Sequence, residues 1–345
     1  MRVMEIIPDS SIFLGGLKEL RMGENQWLQT EIFPTPNIFY GAISSKFLSE
    51  NLGLLKKSLP LNTRVIEIGR IFLKVNNKYY VQLPRDCLMK EGKIKILKCK
   101  EDFHNYSDYT YNNNVMVSYE DINKNYFFNN DKLDYILLDG KVKTSYKVGI
   151  ALKNKKTKDG YLYRLDMLEF GKNVSYVVEY DIHEQKDNKY IDIPEKGFLK
   201  FGGEGRVCKY KIIENSRIAT EVDDIKIKNK EFSIKITAIS PIILKHNVKE
   251  KIYGKLEIEW KIKTLITDKP DILSTYSNND KIRILKSGSV IILDLLDKNK
   301  NINTMKELRE FLNKNFFKFK YNDLEGNTIR DGFSEVEIKI LEETK

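Results

Sequence analysis

The chain has little of what most enzymes and metalloproteins depend on. Its three cysteines, Cys87, Cys99 and Cys208, lie far apart and form no C-x-x-C pair, so neither a zinc knuckle nor a disulfide framework is indicated. Its three histidines, His104, His183 and His246, sit on separate segments, and a histidine acid/base pair or metal cluster would need the fold to bring distant stretches together. The signatures G-x-S-x-G, H-E-x-x-H and G-x-x-x-x-G-K-[ST] are absent, which takes sequence support from hydrolase and nucleotide-hydrolysing readings. Long apolar runs are missing too. The first residues carry Glu5 and Asp9 where a secretory peptide is apolar, and the stretch from Val290 to Leu296 is broken by Asp294. A cytoplasmic protein with reduced thiols, no metal, no cofactor and no membrane association is the expectation.

What is present is a polar, basic, globular composition. Of the 345 residues 41% are hydrophobic and 31% charged, with 19 Tyr and 17 Phe along the whole length, enough apolar surface to offset chain entropy. That length accommodates two domains. The formal charge of +10 favours a polyanionic partner. Lysine far outnumbers arginine, however, and a compositional bias toward Lys, Asn and Ile produces the same excess.

Along the chain, Arg2 to Leu14 reads as a strand and a glycine-containing loop follows. Thr35-Pro36-Asn37 opens a helix, with Thr35 at the N-cap and Pro36 at the first helical position, where its missing N–H costs nothing. Phe39, Ile43 and Phe47 give that helix an apolar face. Val65 to Val75 and Lys78 to Leu83 read as a hairpin turning at Asn76-Asn77, completing a βαββ unit. Residues 101–132 are rich in Asn, Asp, Tyr and Ser and read as an insertion or flap. A long hairpin over 146–168 comes next, then strands at Val174 to Tyr180 and Phe198 to Phe201. Further strands are expected at Val207 to Ile213, Phe232 to Ile239 and Leu256 to Ile262. Thr304 and Glu307 form a capping box before an apolar stripe of Met305, Leu308, Phe311, Leu312 and Phe316. The class is α+β, with an N-terminal domain over 1–200 and a C-terminal domain over 201–345.

Two features carry candidate chemistry. Gly202-Gly203-Glu204-Gly205-Arg206 places backbone N–H groups and a guanidinium where a phosphate or a partner subunit could meet them, but equally reads as a glycine-rich turn between strands. The hairpin tip concentrates Lys153, Lys155, Lys156 and Lys158, followed by Tyr161, Tyr163 and Arg164. Cations for phosphates beside aromatics for bases suit a single-strand binder, and a solvated loop explains the same residues without function.

The order of motifs resembles a known family, the third Cmr subunits of type III-B CRISPR–Cas systems, which are RAMP proteins. Ile32-Phe33-Pro34-Thr35-Pro36 through Tyr40-Gly41-Ala42 is similar to the family's proline-rich entry to its first helix. Val148-Gly149-Ile150-Ala151 through Leu162-Tyr163-Arg164 is similar to its hairpin. The Gly202–Arg206 block and Lys286-Ser287-Gly288-Ser289-Val290 follow in the family's order. Where family members carry an Arg soon after Tyr-Gly-Ala, this chain has Ser44, Ser45 and then Lys46, and the C-terminal Gly-Phe-Gly is reduced to Gly332-Phe333-Ser334.

The resemblance implies two ferredoxin-like, RNA-recognition-motif-like domains with inserted loops and hairpins. It also implies a non-catalytic protein that grips the 5′ handle of the guide RNA (crRNA). The implied contacts are Lys46, Lys153, Lys155, Lys156, Lys158, Arg164, Gly202, Gly203, Gly205 and Arg206. Docking on the large palm-domain subunit and on an adjacent backbone RAMP subunit is implied as well. The alternatives are a RAMP endoribonuclease using His104 or His183 as general base, and a protein scaffold of a related Csm-like complex.

Overall fold

A computed structural model describes residues 1–15, 26–52, 66–97, 110–124, 126–128, 131–153, 156–183, 192–213, 227, 232–244, 260–268, 271–274, 281–295, 302–317, 321–322, 328–329 and 331–341. Within them the protein is a strand-rich mix of α and β structure in several sheets. Strands β1 to β22 and helices α1 to α3 follow in chain order. Two compact units are built from interleaved stretches: Met1–Lys78, Leu137–Asn215 and Tyr321–Gly332 in the first, Tyr79–Ile136, Ser216–Lys320 and Phe333–Lys345 in the second. The division drawn at 200/201 is sequential, whereas these units exchange segments. Periodicity marks strands but not which sheet each one joins.

In the first unit, β1 (Arg2–Ile7), β3 (Ile66–Val75), β11 (Val174–Ile182), β12 (Lys196–Lys200) and β13 (Val207–Ile213) run antiparallel in the order β12-β13-β1-β11-β3. α1 (Pro36–Glu50) buries Phe39, Ala42, Ile43 and Phe47. Phe39 meets the rings of Tyr176 at 5.5 Å and Phe201 at 5.1 Å, an aromatic centre worth more than its buried area alone. Pro36 begins the helix as expected, and Thr35 has the extended backbone of an N-cap, but its side chain makes no capping hydrogen bond. The long hairpin is present. β9 (Val142–Lys153) pairs with β10 (Lys156–Phe170), and β2 (Gln26–Leu28) adds to β10 in parallel. A two-stranded ribbon, β20 (Tyr321–Asn322) with β21 (Thr328–Ile329), completes the unit.

The strand expected to complete the βαββ unit, β4 (Lys78–Gln82), is not the neighbour of β1; β11 takes that place, arriving after the excursion of β9 and β10. Asn76 and Asn77 do adopt the left-handed conformations of a tight turn, with φ of 48° and 67°.

The second unit holds β4, β7 (Val115–Ser118) and β8 (Tyr135–Leu137) in that order, with the hairpin of β5 (Cys87–Lys90) and β6 (Lys93–Ile96). Its main sheet is antiparallel, β16 (Trp260–Ile266)-β19 (Val290–Leu295)-β14 (Phe232–Ala238)-β22 (Val336–Leu341). A small sheet of β15 (Ile242–Ile243), β18 (Lys281–Leu285) and β17 (Asp271–Ser274) accompanies it. Between Asn112 and Phe128, read from composition as a flap, the chain forms β7 and α2 (Tyr119–Lys124) and buries Val115, Val117, Tyr119, Ile122 and Tyr126. Those few apolar residues among many Asn are too short a run to carry a period. α3 (Met305–Asn315) has the predicted capping box, and Met305, Leu308, Leu312 and Phe316 pack with Ile234, Ile236, Ile291 and Leu293.

Candidate nucleic-acid interface

The expected contact residues all fall in the first unit, and the structure sorts them. Lys46 on α1 forms an ion pair with Glu50 one turn on and lies 5.9 Å from the centre of the Tyr210 ring. It is a tethered cation, not a free one. Lys153 and Lys156 face each other across the end of the hairpin, and Lys158 lies on β10. Lys155 and the side chains of Lys153, Lys156 and Lys158 lie outside the described residues.

The glycine-rich loop is fastened from within. Gly203 donates its N–H to the Phe13 carbonyl at 2.8 Å, and Phe201 donates to the Arg206 carbonyl at 3.0 Å, closing the loop on itself. Gly202 has φ +76°, and a Cβ there would lie 2.4 Å from the Phe13 oxygen, so only glycine fits this approach. Glu204 forms an ion pair with Lys147 on β9, tying the loop to the hairpin. Arg206 Nε is buried and has no hydrogen-bond partner among the described residues. The amide of Gly203 is therefore engaged with Phe13 as the loop stands.

Arg164 lies on the outward face of the hairpin sheet. Alternation along β2, β9 and β10 sends Leu28, Leu165 and Met167 inward, where Phe13 and Tyr163 pack against them. It sends Trp27, Tyr146, Val148, Leu162 and Arg164 outward. The Arg164 guanidinium lies 4.6 Å from the ring centres of both Trp27 and Tyr146, a planar cation beside two aromatic faces. Asp166 Oδ1, 3.4 Å from Arg164 Nε, steadies it. Trp27 is 53% exposed and Tyr146 67%, far more than a residue placed only for packing. Such a face offers stacking surfaces for unpaired bases and a charge for a phosphate.

Tyr163, read from the sequence as a stacking aromatic, points the other way: its ring crosses Gly149, where a Cβ would lie 2.1 Å from it. Trp27 and Tyr146 are the exposed aromatics of this face. Tyr146 was visible in the alternation of its strand, but Trp27 arrives on a three-residue strand with no sequence signal.

The described residues include one histidine and two thiols. His183 Nε2 lies 2.7 Å from Glu67 Oε2, and His104 and His246 lie outside the described residues. Burial pushes the Cys208 thiol up to about 12, and burial followed by the neighbouring Asp86 charge raises that of Cys87 well above its ordinary value. Both are unreactive at neutral pH. Among the described residues no group of three or more His, Cys, Asp or Glu is placed to hold a metal ion, and no helix is long and apolar enough to cross a membrane.

Fold and site together define a two-unit, strand-rich α/β protein with an outward aromatic–arginine sheet face. The family model described as CRISPR-associated protein (Cas_Cmr3) matches residues 130–336, more than half of the chain, and the chain belongs to that family. No curated protein matches it in sequence. Among solved structures, it is similar to a chain of "Cryo-EM structure of the Type III-B Cmr-beta bound to cognate target RNA", with 16% identity, a TM-score of 0.48, and coverage of 91% of this chain and 89% of that one. It is also similar to a chain of "Crystal structure of Csm3-Csm4 subcomplex in the type III-A CRISPR-Cas interference complex", with 15% identity, a TM-score of 0.41, and coverage of 88% and 96%.

Proposed function

We propose that this protein is the third subunit of a type III-B (Cmr) CRISPR effector complex, a non-catalytic RNA-binding component. It holds the 5′ handle of the guide RNA and docks on the large palm-domain subunit and an adjacent backbone RAMP subunit. The observation that carries the reading is the Trp27–Arg164–Tyr146 stack, an exposed aromatic and cationic surface on a rigid sheet. Lys153 and Lys156, in register at the far end of the same two strands, continue the hairpin beyond it. The Lys147–Glu204 ion pair ties the glycine-rich loop, which ends in Arg206, to the same hairpin.

Strand order supports two ferredoxin-like domains. In the first unit β13-β1-β11-β3, and in the second β22-β14-β19-β16, each place the fourth, first, third and second strands side by side and antiparallel, the order a βαββαβ chain produces.

Guide RNA with an intact handle is expected to bind the full chain much more tightly than RNA with a scrambled handle; equal affinities refute the handle-specific part. Replacing Lys155 and Lys156 together by Ala is expected to flatten the salt dependence, by about 0.7 for each phosphate no longer neutralised. An unchanged slope removes the tip from the site.

One observation favours a second reading, cleavage of the repeat transcript. His183 has a carboxylate partner in Glu67, the arrangement that orients a general base. Repeat RNA left uncut by the wild-type chain disposes of that reading, and a His104→Ala, His183→Ala double variant that cuts at the full rate disposes of a histidine base.

A further inference from the structure

The first unit carries a second outward face, on β12 and β13, with a composition that sheet formation does not explain. Both strands alternate strictly. Leu199, Cys208 and Tyr210 point into the core, and Lys196, Phe198, Lys200, Val207, Lys209 and Lys211 point out. Register brings Phe198 directly opposite Lys209, and Lys196 directly opposite Lys211.

Like charges paired across strands cost stability unless something offsets them. Lys211 is answered by Glu5 at 3.2 Å and Lys209 by Asp9 at 2.8 Å. Lys196 and Lys200 have no ionic partner among the described residues. In the strand order β12 is the edge, where lysines commonly guard against pairing with another chain. That purpose accounts for the lysines but is opposed by Phe198, which stands 61% exposed in their midst. An aromatic ring lying open among cations on a pleated surface matches the pairing by which single strands are held, base on ring and phosphate on ammonium.

We infer that the outward face of β12 and β13 is a further contact for single-stranded RNA, tolerant of sequence. An unpaired base stacks on Phe198, and the flanking phosphates are met by Lys196 and Lys200, with Lys209 and Lys211 behind them. Nothing on this face reads base edges, so its contribution is affinity along the strand and not recognition of a handle. The inference rests on the proposed RNA-binding role only for the class of its ligand. The face shares no residue with the Trp27–Arg164–Tyr146 stack.

The test uses the full chain, a guide RNA with its handle, and an oligouridylate of equal length lacking it, with binding read by fluorescence anisotropy across a salt series. Phe198→Ala is expected to weaken oligouridylate binding roughly fivefold or more with the salt slope unchanged. Lys196→Gln with Lys200→Gln is expected to lower the slope by about 1.4. All three positions are exposed, and an unchanged thermal midpoint verifies folding.

If the wild-type chain prefers the handle and neither variant alters binding to either RNA, the inference fails and the proposed function stands. If the chain shows no handle preference but the variants lose oligouridylate, the proposed function fails and the inference stands. Absence of all RNA binding removes both. A variant that keeps its RNA affinity but loses a co-purifying protein assigns the edge to a β-strand partner and overturns the inference.

Discussion

The carbonyl of Phe13 accepts the N–H of Gly203 at 2.8 Å, so the N-terminal segment serves as the floor of the glycine-rich loop. Gly202 and Gly205 both have positive φ, but only Gly202 is also pressed against Phe13; around Gly205 no atom lies within 4 Å of a built Cβ. Gly205→Ala is expected to cost about 1 kcal/mol, the backbone penalty alone. Gly202→Ala should cost at least about 2 kcal/mol more, because the loop must also leave Phe13. Urea denaturation of both variants measures the difference, and equal costs remove the Phe13 approach from the account.

Stacking and charge at the hairpin face can be separated by salt. Trp27→Ala and Tyr146→Ala remove aromatic surface but no charge, so each is expected to weaken guide-RNA binding roughly fivefold or more with an unchanged salt slope. Arg164→Lys keeps the charge and loses the planar guanidinium, and is expected to behave like the aromatic variants. A lysine variant with full affinity shows that Arg164 acts as a point charge only.

In the second unit a buried ion pair pins β14 to the β5 segment. Lys235 meets Asp86, with both side chains almost fully buried, and Tyr126 donates to the same carboxylate at 2.8 Å while its ring lies 3.9 Å from the Lys235 ammonium. Leaving one charge unanswered in such a place costs more than removing both. Lys235→Met is expected to destabilise the chain by about 3–5 kcal/mol, and adding Asp86→Leu should recover part of that loss. A double variant worse than the single one contradicts the pairing. The check is the denaturation midpoint of all three proteins.

The legible part of this molecule was its local order. Pro36 at a helix start, Asn76-Asn77 at a turn, the Thr304–Glu307 cap and the 146–168 hairpin all follow from rules that act within a few residues, and each stands where the sequence placed it. What could not be read is partnership at long range. β11 is inserted between β1 and β3, and Tyr79–Ile136 is given to the other unit, by choices among strands with the same alternation.

The site shows the same limit. Arg164 could be named as a cation on a hairpin, but not the Trp27 beside it, which is 137 positions away in sequence and brought there by a short parallel strand. Phe198 was visible only as one apolar residue of a strand. Its significance depends on which face β13 leaves open.

A buried carboxylate at the centre of the first sheet makes stability depend on acid. Glu5 on β1 accepts from Lys74 at 2.9 Å and from Ser175 at 2.7 Å, with Lys211 at 3.2 Å. Burial pushes its pKa up, and these hydrogen bonds and charges outweigh burial, leaving it below the ordinary value. A carboxyl group depressed in the folded state binds its proton more readily when unfolded. The stability it contributes is therefore complete above the unfolded value of about 4.3 and is lost as pH falls through the lower folded one. Glu5→Gln lacks this titration and leaves Lys74 without its partner, so it is expected to be markedly less stable than the wild type at pH 7 and closer to it at pH 3. Urea unfolding at the two pH values decides the matter, since a gap that stays constant means that Glu5 is not the group through which acid acts.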